Sequence, residues 1–189
     1  MSVDVNEFRE TWREFYSWMR PYTWELRERC QLCWTRFYML PEGKRPIETA
    51  DERVMALERA RRIVNATFDQ DAFVTLVIGE PKRSDLPSHF LSLEPTPLTP
   101  WATQGEEEAD RPPLLWLART RLDDPGLGGS FEVALRGGVG SFLILGSSLP
   151  GSMIGLYEGG IDTFVPSTPH RRDLRQWFRE WRPERPDGL

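Results

Sequence analysis

The last third of the chain contains three short apolar runs separated by short, glycine-rich connections. The runs are 142–145, 153–157 and 161–165, and each has the length and the residue content of a β-strand. Strands joined by such tight connections cannot be parallel, because a parallel pair needs a crossover of a dozen or more residues. This part of the chain therefore predicts a largely antiparallel sheet.

An earlier run, Ala72–Ile78, is apolar throughout and rich in β-branched residues. Such a run is typical of a central strand that is covered on both faces. Leu114–Leu122 has a similar composition and predicts a further strand. The glycines of Gly126–Gly138 predict turns around residues 131–135.

Three helices are predicted around these strands. The spacing of apolar residues indicates an N-terminal helix over Asp4–Arg20. A middle helix begins at a capping box, in which Thr49 and Glu52 satisfy each other's backbone amides. A C-terminal helix is capped by Ser167 or Thr168, and its apolar stripe is expected to be buried: Leu174, Trp177, Phe178, Trp181.

These elements predict a single α+β domain over residues 1–189, with the N-terminal, middle and C-terminal helices packed on a largely antiparallel sheet. Residues 81–113 are rich in proline and predict an irregular insertion within that domain rather than a second domain. A length of 189 residues is enough for one substantial core and short for two.

Charge and hydropathy exclude several classes of protein. The net charge is −5 and the pI is about 5.2, which is the wrong sign for a dedicated binder of nucleic acid or of an anionic membrane. No uncharged apolar run reaches the ~20 residues of a membrane span, and the N-terminus lacks a signal-peptide core. Two cysteines are too few for a disulfide scaffold. The sequence therefore predicts a cytoplasmic protein without nucleic-acid or membrane partners.

The chain predicts no metal site and no cofactor. Cys30 and Cys33 form a CxxC motif, and with His89 and His170 they would make a set of four zinc ligands. The two histidines do not form a compact pair, however, and residues three apart on a strand point to opposite faces. The GGVGS segment at 137–141 lacks the lysine of a phosphate loop and is better explained by turn glycines.

No residue is predicted to be catalytic, but two sets of residues are candidates for a functional site. The first set is acidic, lies in the proline-rich stretch and suits a basic partner surface: Glu106, Glu107, Glu108 and Asp110. The second set flanks the last turn and the last helix, and offers an alternative pocket for an anionic ligand: Tyr157, Glu158, Asp162 and His170.

The last helix also carries arginines on its polar side: Arg171, Arg172, Arg175, Arg179 and Arg182. Arginine clusters bind phosphates and carboxylates. The acidic residues Asp173, Glu180 and Glu184 on the same helix favour the alternative of a balanced, solvated face.

Two parts of the chain resemble a known bacterial family, the domain of unknown function 3885. The C-terminal part is the turn Tyr157–Phe164, which is followed by a capped helix containing Trp177 and Trp181. Upstream, Arg36-Phe37, a helix over 56–68 and the run 73–78 occur in the order of that family's first half. The resemblance implies no enzymatic activity; it implies a small acidic protein of the immunity or accessory kind.

We therefore expect a non-catalytic binding protein, of the immunity or antitoxin type, that occludes a basic partner protein such as a toxin. Its aromatic content and negative charge suit such an interface. Two alternatives stay open. One is a small hydrolase-like enzyme that uses the Tyr157–Asp162 turn with His170, and the other is a structural, homo-oligomeric accessory subunit.

Overall fold

The structure is a computed structural model. It describes the backbone of residues 3–16, 19–70, 72–79, 84, 86, 88–98, 115–146 and 151–184, and the side chains of all of these except His89. The helices are α1 Val5–Tyr16, α2 Thr23–Arg29, α3 Ala50–Thr67, α4 Ser88–Leu91, α5 Leu127–Leu135 and α6 Thr168–Trp177. Short 3₁₀ turns follow at Pro41–Gly43 and Arg179–Trp181.

Seven strands form one sheet: β1 Trp34–Tyr38, β2 Phe73–Gly79, β3 Thr96–Leu98, β4 Leu115–Arg121, β5 Ser141–Leu145, β6 Met153–Tyr157 and β7 Gly160–Phe164. Their order across the sheet is β1-β7-β6-β5-β2-β4-β3, and every neighbouring pair is antiparallel. This confirms the predicted α+β fold with an antiparallel sheet.

Helices cover both faces of the sheet. One face, with Leu76 and Ile78 of β2, packs against α3, α5 and the end of α6. The opposite face, with Val77 of β2, packs against α1 and α2. Strand β2 lies inside the sheet between β4 and β5, which explains why its sequence is apolar at successive positions.

Helix α2 approaches the sheet closely at one point. A side chain added at Gly155 of β6 would meet Thr23 Oγ1 at 2.3 Å, so only glycine leaves room for the first turn of α2. Helix α3 is held at its start by the predicted capping box, in which Thr49 Oγ1 accepts from Glu52 N and the Glu52 carboxylate accepts from Thr49 N. Ser167 caps α6 in the same manner, by accepting from His170 N.

Four sequence-based expectations differ from the structure. Leu127–Leu135 is a helix and not a set of turns, because Leu127, Phe131 and Leu135 share one buried face. The stretch 81–113 is not irregular throughout, since its described part contains α4 and the edge strand β3. Helix α1 ends at Tyr16 rather than at Arg20. Trp177 is 60% exposed, whereas Leu174 and Phe178 are buried as expected.

Candidate functional site

The acidic candidate residues cannot be placed. Glu106, Glu107, Glu108 and Asp110 lie outside the described residues, so their role in steering a basic partner stays a prediction.

The alternative pocket is not assembled, because its residues lie on opposite faces of the sheet. The Tyr157 hydroxyl donates to Asp162 Oδ1 at 3.1 Å, and both residues face α2. His170 belongs to the opposite layer, where its Nε2 lies 2.8 Å from the carbonyl oxygen of Ala66 in α3. Glu158 is exposed in the turn between β6 and β7. Since alternate residues of a strand point to opposite faces, Asp162 cannot meet a group on α6.

Asp162 is instead the centre of a buried ionic cluster, which we call the Asp162 cluster. The side chain is 0% exposed and binds two guanidinium groups. Arg36 Nε, from the neighbouring strand β1, lies 3.0 Å from Oδ1, and Arg27 Nη2, from α2, lies 2.8 Å from Oδ2. Together with Tyr157, these groups tie α2 to the sheet edge formed by β1 and β7.

Electrostatics and aromatic rings stabilise this arrangement. Burial alone would lower the pKa of Arg36, but the hydrogen bond and the charge of Asp162 raise it above the usual value. Burial and the Asp162 charge also raise the pKa of Tyr157, so this phenol stays protonated. Both guanidinium groups lie within 5.4–5.8 Å of the ring centroids of Trp34 and Tyr157. The single carboxylate thus has two cationic partners and a phenol, and these contacts hold α2 against the sheet.

A different surface gathers arginines that form no ion pair with a described residue, although Arg59 Nη1 donates to the carbonyl oxygen of Tyr38 at 3.3 Å. Met55, Arg59 and Arg62 follow one another at spacings of four and three on α3, and so share one stripe. The guanidinium carbons of Arg59 and Arg62 lie 5.0 and 4.9 Å from the ring centroid of Trp181. Trp181 stacks in turn on the buried Phe178 at 4.9 Å.

Two further arginines extend this surface from the end of α6. Burial, and then the charge of Arg175, lower the pKa of Arg182. Burial also lowers the pKa of Arg59, and the charge of Glu180 opposes that effect only in part. We call the set the arginine–tryptophan surface: Arg59, Arg62, Arg175, Trp181 and Arg182.

The arginine–tryptophan surface contrasts with the other cations of the molecule. None of its four arginines forms an ion pair with a described residue. Several cations elsewhere are paired with carboxylates: Arg20 with Glu25, Lys44 with Glu48 and Glu52, Arg53 and Arg136 with Glu132, and Arg121 with Asp123. Within the described residues, Asp173, Glu180 and Glu184 form no ion pair with these arginines, although the charge of Glu180 acts on Arg59.

A groove of about 350 Å³ lies beside α3 and α5 and includes Asp123 and Asp124. Both carboxylates already have partners. Asp124 accepts from the Thr120 hydroxyl and from Gly126 N, each at 2.8 Å, and Asp123 is paired with Arg121. These carboxylates shape the turn that precedes α5.

The cysteines lie in the turn between α2 and β1. Both are free thiols and half-buried. His170 is engaged with Ala66, so it does not join them, and the side chain of His89 lies outside the description. Among the described residues, no three histidine, cysteine, aspartate or glutamate side chains are grouped as metal ligands. No helix within the same residues is long and apolar enough to cross a membrane.

Comparison with known families gives one match. The family model for Domain of unknown function (DUF3885) matches residues 22–125, which is more than half of the chain. The match includes α2, α3 and the central strands β2 and β4, but not the turn at Tyr157. No curated protein and no solved structure matches the chain.

Proposed function

Because the chain belongs to the family Domain of unknown function (DUF3885), which assigns no activity, we propose from its surface that it is a cytoplasmic, non-catalytic binding protein. The arginine–tryptophan surface is its binding site for a partner protein. An immunity or antitoxin role, in which the bound partner is occluded, is the form of this function that we favour.

The observation that carries the proposal is that Arg59 and Arg62 pack on the half-buried Trp181 and that neither forms an ion pair with a described carboxylate. Arginine and tryptophan are the residues most enriched at the energetic centres of protein interfaces. An exposed guanidinium stacked on an indole is also held in place before binding, so less side-chain entropy is lost. Exposed Met55, one turn along the stripe, adds apolar area at the margin.

The chemistry of this surface favours an acidic segment on the partner. Carboxylates would form bidentate ion pairs with the guanidinium groups, and would raise the lowered pKa values of Arg59 and Arg182. The sequence proposes a second contact, in which residues 106–110 meet a basic area. These two contacts require partner surfaces of opposite charge, so variants that neutralise one set of charges at a time can separate them.

The test is quantitative capture of partners from the native host by three proteins. The first is the wild type, the second carries Arg175→Gln and Arg182→Gln, and the third is the control, with Arg61→Gln and Arg172→Gln. The control loses the same charge from two exposed arginines outside the surface. A candidate partner is then purified, and its dissociation constant is measured by calorimetry.

We expect the surface variant to bind the purified partner at least ~10-fold more weakly than the control variant, since each lost charged contact costs ~1.5–3 kcal/mol. Equal binding by the two variants would refute the role of the arginine–tryptophan surface. A fourth variant, with Glu106→Gln, Glu107→Gln, Glu108→Gln and Asp110→Asn, tests the acidic segment. If association with a basic partner depends on that segment, the rate constant should fall by roughly 10-fold with unchanged thermal stability.

Self-association is a distinct outcome of the same experiment. Residues 106–110 of one copy carry the charges that the arginine–tryptophan surface of another copy would bind. Light scattering at low and at physiological ionic strength detects this. A salt-sensitive dimer that both the Arg175/Arg182 and the 106–110 variants abolish would replace the separate partner with a second copy of this chain.

A further inference from the structure

In the CxxC turn, Cys30 and Cys33 are placed so that they can form a disulfide with each other. Cys33 N donates to the carbonyl oxygen of Cys30 at 2.9 Å, which closes a four-residue β-turn, and Cys33 Sγ lies 3.1 Å from the same oxygen. A β-turn holds its first and last Cα atoms within about 7 Å. That spacing covers the range of about 4.4–6.8 Å in which a disulfide forms without backbone movement.

The thiols are also accessible to a small reagent. Both are only half-buried, and they line an open groove of about 440 Å³ formed by residues 28–33. Leu32, between them in sequence, is 87% exposed. A molecule of the size of a tripeptide disulfide can therefore reach either sulfur from solvent.

The two cysteines differ in acidity, so they take different roles in thiol–disulfide exchange. A hydrogen bond from Cys33 lowers the pKa of Cys30 to about 7, although burial opposes this. The same hydrogen bond and burial raise the pKa of Cys33, and the charge of Arg171 on α6 offsets only part of that rise. Because Cys30 follows the C-terminus of α2, where the helix dipole disfavours an anion, the Cys33 hydrogen bond is what makes it the more acidic thiol.

We propose that Cys30 and Cys33 form a reversible redox site that exchanges with low-molecular-weight disulfides of the glutathione type. The Cys30 thiolate attacks one sulfur of the disulfide, forms a mixed disulfide and releases one thiolate. Cys33 then loses its proton and attacks the Cys30 sulfur, which releases the second thiol. Two protein thiols and one small disulfide are thus converted into one protein disulfide and two small thiols.

The site lies where its state bears on the packing of three elements. Cys30 N bonds to the carbonyl oxygen of Leu26 and ends α2, while the Cys33 carbonyl oxygen accepts from Val165 N at 2.9 Å, just after β7. Arg27, which binds Asp162, is one turn of α2 before Cys30. Closing the disulfide therefore fixes the end of the helix that holds the Asp162 cluster.

The test uses the full chain in buffers of varied ratio of reduced to oxidised glutathione. Free thiols are trapped with N-ethylmaleimide after acid quenching, and intact mass is measured. We expect the wild type to lose both reactive thiols in one transition, with the mass falling by two hydrogens, and to recover them with dithiothreitol. The variant Cys33→Ser should stop at a glutathione adduct on Cys30, located by peptide mapping.

The variant Cys30→Ser should react more slowly near pH 7 than Cys33→Ser, because burial still raises the pKa of the remaining Cys33 thiol. Thermal unfolding shows whether each serine variant is folded, and the Cys33→Ala and Cys30→Ala variants provide a second comparison. Three results would overturn the proposal: two free thiols across the whole range of ratios, stable glutathione adducts on the wild type, or a disulfide between chains. None of these readouts depends on a partner protein, so the binding function and the redox site fail or succeed separately.

Discussion

Replacing Asp162 with asparagine removes the one negative charge of the Asp162 cluster and keeps an oxygen that can accept from Tyr157. The carboxylate is 0% exposed, and the side chain of Arg36 is only 7% exposed, so Arg36 would lose the anion that it binds in a buried site. Arg27, at 27% exposed, can turn its guanidinium toward solvent. The cost therefore comes mainly from Arg36.

Removing one partner of a buried ion pair costs ~3–5 kcal/mol. A domain of this size has a total stability of ~5–15 kcal/mol, so Asp162→Asn should remove a large fraction of it. The measurement is urea unfolding at neutral pH, followed by tryptophan fluorescence and by circular dichroism. A lower midpoint at unchanged m-value would assign the loss to the native state.

The control is Glu132→Gln, which breaks the contacts with Arg53 and Arg136, whose side chains are 53% and 58% exposed, and should cost less than Asp162→Asn. A second comparison adds Arg36→Leu to Asp162→Leu. Because both buried charges are then removed, the double variant should be at least ~1 kcal/mol more stable than Asp162→Leu alone. If Asp162→Asn unfolds within ~1 kcal/mol of the wild type, the carboxylate is not the buried anchor that its contacts indicate.

Three further predictions concern α3 and α6. Leu174→Ala should cost ~2–5 kcal/mol, whereas Trp177→Ala should leave the urea midpoint almost unchanged, since Leu174 is buried and Trp177 is exposed. Thr49→Ala should cost ~1 kcal/mol by removing the cap of α3, and Thr49→Ser should retain most of that stability. Hydrogen bonds from Lys44 and from backbone amides lower the pKa of Glu52 to about 2. The stability that Glu52 contributes is therefore present above its ordinary pKa near 4.5 and is lost as the pH falls toward 2. The urea midpoints of wild type and Glu52→Gln should differ at neutral pH and converge over that range. The control is Glu58→Gln, whose midpoint at neutral pH should stay close to that of the wild type.

The parts of the fold that the sequence predicts are those whose signal is local. The antiparallel order of the late strands follows from their short connections, and the start of α3 follows from the Thr49–Glu52 box. Helix α5 lies where the sequence predicts turns, because Gly128 and Gly129 are typical turn residues. Burial of Leu127, Phe131 and Leu135 outweighs the low helix propensity of those glycines. Helix α2 has only seven residues after Pro21, too few for a clear period.

The sites depend on contacts that no local pattern records. Tyr157 and Asp162 are five residues apart and meet because a tight turn joins their strands. The partners of Asp162 come from positions 126 and 135 residues earlier in the chain. His170 was grouped with Asp162 because they are near in sequence, but a strand and the start of a helix can face opposite layers. The one local signal is Arg36 itself, because an arginine within the largely apolar strand β1 indicates that a buried anion lies nearby.

For the same reason, the sequence alone does not distinguish arginines that are paired with a carboxylate from arginines that are available to a partner. Arg36 and Arg62 each precede an apolar residue in a regular element, yet Arg36 is paired with a carboxylate, whereas Arg62 stacks on an indole without one. The distinction depends on which residues the opposite element brings near, and it decides function. A paired, buried arginine stabilises the fold and is unavailable to a ligand. An exposed arginine that is positioned by stacking but has no anion retains its hydrogen-bonding capacity for a partner. In a chain whose net charge is −5, a local excess of such arginines sets the chemistry of the partner more directly than the overall charge does, because fields from distant charges are screened beyond ~8 Å at physiological ionic strength.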